Sequence, residues 1–445
     1  MSRFNLSRRD ALTAAGFAAA GVGLSAASAS AQSRTDGPHH ARTVEPGEYP
    51  PGVPGEHYTP VITPNGSALP YRVIGGVKVF HLVAEEVEHE FAPGLRATCW
   101  GFNGQVHGPT IEAVEGDRVR IYVTNRLRAA TSIHWHGLIL PSGMDGVGGL
   151  SQPLIRPGET FRYEFPLVQH GTHMYHSHHD EMTQMALGMM GMFVIHPRRA
   201  PRRADRDFAM MLSTWKIRPG ARRPDPNEMT DFNVLTINGK AFPGTEPLVV
   251  GQNQRVRMRV ANLSAMDHHP FHVHGHTFQV VGTDGGEIPE SARWPEATIL
   301  VPVGSARTIE FVADNPGDWA VHCHMTHHVM NQMGHDLENM VGVDQSGFSG
   351  LVGDLVPGYM AMDGNDMAAH GEHVEMGHMR IPENAIPMVG ARGPFDHIGM
   401  GGMFTIMKVR PGITSYEDPG WYRAPGGTTA RAATSNELDR DGIRT

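Results

Sequence analysis

Cysteine is nearly absent from this chain: Cys99 and Cys323 are its 2 cysteines. That is too few for a scaffold built on disulfides, although an oxidising compartment would allow one pair. Long apolar runs are missing too. Beyond residue 31 there is no stretch of 18 apolar residues, so no membrane-spanning helix is expected. Basic stripes are also missing. The net charge is -9, and taking away Arg3, Arg8, Arg9 and Asp10 removes a net +2 and leaves -11. That balance argues against nucleic acid as a partner. Helical periodicity is scarce. What is present is a series of short alternating segments with turn punctuation, carrying 28 histidines and 26 methionines.

The chain divides by composition. Residues 1–31 read as an export signal: Ser7-Arg8-Arg9-Asp10-Ala11-Leu12 carries a twin arginine, an Ala/Gly-rich run follows, and Ala29-Ser30-Ala31 offers a cleavage site. A periplasmic or secreted location by the twin-arginine route is expected. Residues 32–67 are rich in Pro, Gly and His and read as an exposed arm. Residues 68–200 alternate like strands, most clearly from Thr110 to Val123. The pattern then repeats in residues 201–345. Arg255-Val256-Arg257-Met258-Arg259-Val260-Ala261-Asn262 answers Arg118-Val119-Arg120-Ile121-Tyr122-Val123-Thr124-Asn125. Two related all-β Greek-key sandwiches are expected, with a boundary near Pro197–Arg206. Residues 346–445 form a Met/His-rich extension.

Four segments share one grammar. They are His134-Trp135-His136, His176-Ser177-His178, His269-Pro270-Phe271-His272-Val273-His274, and His322-Cys323-His324, the last followed by His328 and Met333. On a strand, successive side chains face opposite sides. Cys323 would then look one way while His322 and His324 look the other. A cysteine with two histidines and a weak axial methionine is the ligand set of a blue-copper site. Ser177 stands in the place of Cys323, so the second sandwich alone can build it.

These segments resemble the multicopper oxidase family (laccases, cuprous oxidases and ferroxidases) over roughly residues 70–345. The resemblance implies cupredoxin-like sandwiches and four copper ions: one type 1, one type 2 and two type 3. It implies that His269, Cys323 and His328 hold the blue copper with Met333 axial, His327 being the alternative to His328. His134 and His272 would hold the type 2 copper. His136, His176 and His324 would hold one type 3 copper, and His178, His274 and His322 the other. Four one-electron oxidations of a small-molecule or metal-ion donor would then reduce O2 to two waters. Phenols, aromatic amines, Cu(I), Mn(II) and Fe(II) all remain open as donors. Asp145 matches the family's acidic residue beside the type 2 copper, a proton relay. Val329 stands where a second acid is usual, and Gln332 where the family has Gly. Only one linker separates His134 from His322, as in two-domain laccases, so a homotrimer with shared trinuclear sites is expected. Copper-dependent nitrite reductase fits less well, because it needs fewer histidine pairs. The alternative function is a periplasmic copper-resistance or copper-buffering protein with secondary cuprous oxidase activity.

Cys99 is left as a free structural thiol. Met182, Met185, Met189, Met190 and Met192 form a dense group, and nine methionines lie between Met360 and Met407. Thioethers are soft ligands for Cu(I), so a copper-gathering role is one reading. For Met189, Met190 and Met192, core filling is preferred. For residues 360–379, copper contact and a solvated loop stand equal. The segment Gly401–Val409 alternates like a strand and is expected on a sandwich edge.

Overall fold

In the computed structural model, residues 47, 49–199, 203–334 and 381–445 are described. The leader and the methionines of residues 360–379 lie outside the described residues.

The stretch Thr110–Val123 is two strands, Gly108–Val114 and Arg118–Asn125, broken at Glu115-Gly116-Asp117. Gly116 takes φ +88, a conformation that favours glycine, and the turn carries the chain from one sheet to the other. Arg118–Asn125 alternates exposed or half-buried with buried residues along its whole length. It pairs with Val77–Ala92 and Thr160–Pro166 in a five-stranded sheet. The facing sheet runs Gly108–Val114, Met190–His196, Gly171–Ser177, Ile133–His136. Phe80, Ile121 and Phe165 of the first sheet meet Trp135, Tyr175 and Phe193 of the second in a closed core. Each such side chain contributes about 1.5–3 kcal/mol relative to exposure.

The repeat seen in sequence is a repeat in space. Arg255–Asn262 lies between Arg206–Trp215 and Ser305–Val312 in an eight-stranded sheet. Asn125 and Asn262 end equivalent strands and do the same work. Each side-chain amide donates to two carbonyls (Ala129 and Ile155; Asp267 and Val301), and each side-chain oxygen accepts from the amide two residues on.

The second sandwich is closed by Leu248–Gly251, Phe404–Arg410, Gly317–Cys323, His269–Val273 and Thr298–Val301. Phe404–Arg410 therefore sits inside this sheet, between two partners, rather than on an edge. Met407 and Val409 are fully buried, and that burial draws the strand in. The N-terminal arm is likewise built in from about residue 50. Val61–Ile62 pairs with Asp207–Phe208, and Tyr58 stacks on His196 at 4.1 Å.

The sandwiches meet along a methionine seam. Met174, Met190 and Met192 pack on Ala209, Met211, Ala261 and Leu263, while Met189 fills the first core. Within the second sandwich Arg259 clamps Asp207 at 2.8 and 2.9 Å, and across the seam it reaches Thr172 at 3.0 Å. No helix of the described residues is long and apolar enough to cross a membrane.

Candidate metal centres

Strand register decides which side chains meet. Gly317–Cys323 runs antiparallel to His269–Val273, with Phe271 opposite Cys323 and His272 opposite His322. Alternation then places Cys323, Phe271 and His269 on the core face, and His322 and His272 on the other. The short turn Thr326–Val329 brings His328 back, while His327 stays exposed. Cys323 Sγ lies 3.6 Å from His269 Nδ1 and 3.4 Å from His328 Nδ1, and those nitrogens are 3.1 Å apart. His269 Nε2 is hydrogen-bonded to Ser264 Oγ at 2.7 Å.

All three residues are buried. Burial pushes His269 down to about 3 and His328 to about 4, so both rings are neutral and offer lone pairs. Burial pushes the Cys323 thiol up to about 12. A thiol in that position loses its proton to solvent readily only when a cation replaces it on sulfur. One sulfur and two imidazole nitrogens converging on one point are a donor set that fits copper. Met333 is half-buried at the end of the same loop.

The opposite face carries imidazoles alone. His272, His274, His322 and His324 form a quartet with ring centroids 4.7 to 5.6 Å apart. The first sandwich carries a matching quartet, His134, His136, His176 and His178, at 5.4 to 6.1 Å. Among the described residues, ring contacts run within each quartet and none joins the two. In each quartet two Nδ1 atoms are tied to backbone carbonyls. His134 bonds Asp145 and His176 bonds Ser177, both at 2.8 Å; His272 bonds Ala297 at 2.6 Å and His322 bonds Cys323 at 2.7 Å. Those bonds leave each Nε2 as the free ligand atom. His274 Nε2 and His322 Nε2 already stand 3.1 Å apart. Burial, reinforced by neighbouring histidines, lowers His176 to about 3 and His322 to about 4.

Two carboxylates flank the first quartet. Asp145 Oδ1 is 3.4 Å from His134 Nδ1. Glu181 Oε1 is 3.1 Å from His178 Nε2, a neighbour that sequence reading passed over although it lies one helical turn further on. Val329 is buried beside Phe242 and Phe404.

The loop after Cys323 is held by the C-terminal segment, which sequence reading treated as an extension. Gln332 takes φ +50, which explains the family's glycine at this place. Here the strained backbone is compensated by contacts. Gln332 Oε1 accepts from Ile386 N at 2.8 Å, and Gln332 N donates to Asn233 O at 2.6 Å. Asn331 donates to Phe242 O and Pro387 O and accepts from Gly402 N. Cys323 N donates to Met403 O, and Met403 N to His328 O. A Cβ on Gly402 would stand 2.3 Å from the His328 carbonyl oxygen, so that approach requires glycine.

Comparison with known proteins agrees with this geometry. Two family models, both described as multicopper oxidase, match residues 84–200 and 218–342, together more than half of the chain. Copper resistance protein A of Pseudomonas syringae pv. tomato is 46% identical over 123 residues, covering 27% of this chain and 20% of its own length. L-ascorbate oxidase of Brassica rapa subsp. pekinensis is 31% identical over 243 residues, covering 46% and 42%. The chain thus spans less than half of these curated relatives. Among solved structures, the blue copper oxidase of Nitrosomonas europaea has a TM-score of 0.55 at 25% identity, covering 74% of this chain and 85% of that one. The multicopper oxidase mgLAC has a TM-score of 0.56 at 27% identity, covering 74% and 86%. With both sandwiches matched by family models, this chain belongs to the multicopper oxidase family.

Proposed function

We propose that the chain is a laccase-like copper oxidase, coupling four one-electron donor oxidations to the reduction of O2 to two waters. The observation that carries this reading is Cys323 beside His322, on one strand and facing opposite ligand groups. His269, Cys323 and His328, with Met333 from the same loop, would hold one copper. The two quartets would hold three more, His134 and His272 sharing one, with His136, His176, His324 and His178, His274, His322 serving the pair. When bound, these ions supply the one-electron redox chemistry, and the protein supplies position and environment.

The chain's own atoms account for the rest. The Cys323 carbonyl accepts from His322 Nδ1, so a covalent and hydrogen-bonded link joins the two ligand groups. Asp145, partly exposed beside His134, is placed to carry protons inward. The quartets belong to different sandwiches, and among the described residues no ring contact joins them. This supports a trinuclear site completed by a neighbouring copy, in a ring that closes as a homotrimer. The twin-arginine leader supports export to the periplasm or beyond.

Similarity to copper resistance proteins supports a second reading, copper buffering with secondary cuprous oxidation. Oxygen uptake separates the two. The copper-loaded protein should show a strong blue thiolate band and consume O2 with a one-electron donor. A blue band without O2 uptake would leave buffering as the function.

A further inference from the structure

The helix Ser435–Asp441 is specified at both ends yet buries none of its residues. Thr434 and Glu437 form a reciprocal cap at its start. At its end Gly442 is left-handed, Ile443 N donates to Leu438 O at 2.9 Å, and Gly442 N donates to Asp439 O at 3.2 Å. That closure commonly sets the two apolar side chains, here Leu438 and Ile443, side by side. Leu438 is only half-buried and Ile443 is 56% exposed. A helix this short is marginal in water unless its apolar side is covered. The chain before it is fastened to the body as far as Tyr422. The Arg206 guanidinium carbon lies 3.7 Å from the Tyr416 ring centre, and Tyr422 N donates to Asp318 Oδ2 at 2.8 Å. Beyond Tyr422, no hydrogen bond or ion pair among the described residues returns to the body.

A surface of opposite charge lies on the first sandwich. Val79 pairs with Arg72 on one side and Arg120 on the other, so these side chains share the outer face of their sheet. Arg118 and Arg162 lie on the same face, and Glu164 is the carboxylate set among these arginines. A groove of about 710 Å3 runs there, lined by Ile74, Val79 and Tyr122 besides Arg72. Ile74 is 54% exposed. Arg72 has no carboxylate partner among the described residues, and Asp439 has no cation. With Glu437, Asp439 and Asp441 the helix is acidic where the face is basic, and both carry bare aliphatic groups. No residue of the helix lines the groove, so the two halves do not meet within one chain.

We propose that Ser435–Asp441 docks in this groove on a second copy of the chain. Each copy gives a helix and receives one, a head-to-tail contact that can close into a ring. Residues 423–434 extend at most about 40 Å, enough to pass onto an adjacent copy. Leu438 and Ile443 cover Ile74 and Val79, and Asp439 faces Arg72. The contact goes beyond the oxidase reading and does not depend on it, since no copper ligand takes part.

The test uses the full chain. Leu438→Asp/Ile443→Asp should raise the dissociation constant between copies at least about tenfold in sedimentation equilibrium. Near-ultraviolet circular dichroism should be unchanged, as proof that the sandwiches are folded. Arg72→Glu should weaken the same assembly. Ile74→Cys/Ile443→Cys, mildly oxidised, should yield disulfide-linked chains. Cys99 and Cys323 are buried and stay out of that reaction. A monomeric unaltered chain, an unchanged dissociation constant in either variant, or no disulfide between chains would overturn the proposal. Failure of the oxidase reading looks different: oxygen uptake would be absent, while these readouts would stand, because none of them uses copper.

Discussion

The two sandwiches place different chemistry on one framework. Thr131 lies three residues before His134, as His269 lies three before His272, and Ser177 answers Cys323. In the first sandwich Thr131 and Ser177 both donate to Gln184 Oε1, at 2.7 and 2.5 Å, and all three are fully or almost fully buried. In the second, His269, Cys323 and His328 occupy the corresponding corner. One corner is a closed hydrogen-bonded knot with no unsatisfied partner to offer. The other leaves three ligand atoms pointing at each other, an arrangement that a cation resolves. The outward faces keep the same rule in both copies: His176 and His322 each bond the carbonyl of the following residue.

The largest expected effect comes from collapsing this difference. Cys323→Ser should abolish the blue band and donor-driven oxygen uptake, and metal analysis should find one copper fewer per chain. Survival of the blue band would refute the comparison at its root. Building the difference in the other direction is the next test. Thr131→His/Ser177→Cys/Gln184→His should add a thiolate-to-copper band and one copper per chain, and an unchanged spectrum would show that the two corners are not interchangeable.

The quartets can be tested by exchange. His134→Ala and His272→Ala should each lose oxygen uptake. Subunits of the two variants, mixed and reassembled, should recover part of it, because some interfaces then pair two intact quartets. No recovery would mean that each chain completes its own cluster.

Smaller effects concern support. Gln332→Ala keeps the left-handed backbone strain and loses the side-chain bonds, whereas Gln332→Gly relieves the strain. The alanine variant should be less stable than the glycine one by about 1 kcal/mol in urea unfolding.

A further effect, confined to low pH, lies where the sandwiches join. His89 reaches Gly239 O at 2.6 Å and His107 reaches Ser213 Oγ at 2.8 Å, both across the join. Burial lowers His89 to about 4 and His107 to about 3. Both rings are neutral in the fold and gain a proton near 6.5 when unfolded. Their stabilisation is therefore complete above pH 6.5 and is lost as pH falls toward 4 and below. The melting temperature should drop over that window, and His89→Gln/His107→Gln should flatten the curve.

Much of the site could be read before the fold, because its grammar is local. Alternation alone puts Cys323 on one face and its flanking histidines on the other, and the internal repeat pairs Ser177 with Cys323. The methionines at 190 and 192 were expected to fill space, and they do so in the seam. Three features escaped that reading. The arm near Tyr58 was taken as exposed, because its partner His196 is distant in sequence. Phe404–Arg410 was placed at an edge, because nothing local announces a strand inserted beside Gly317–Cys323. Gln332 looked like a departure from pattern, and only its contacts with Ile386 and Asn233 show how the turn is held.

Residue order by itself therefore pointed to the candidate ligand atoms and to the strand face each occupies, since a two-residue period needs only neighbouring bonds. Tertiary packing alone decided what surrounds them: the C-terminal clamp on the cysteine loop and the methionine seam between the sandwiches. Those arrangements join residues tens to hundreds of positions apart, and their positions follow from how two apolar cores close against one another.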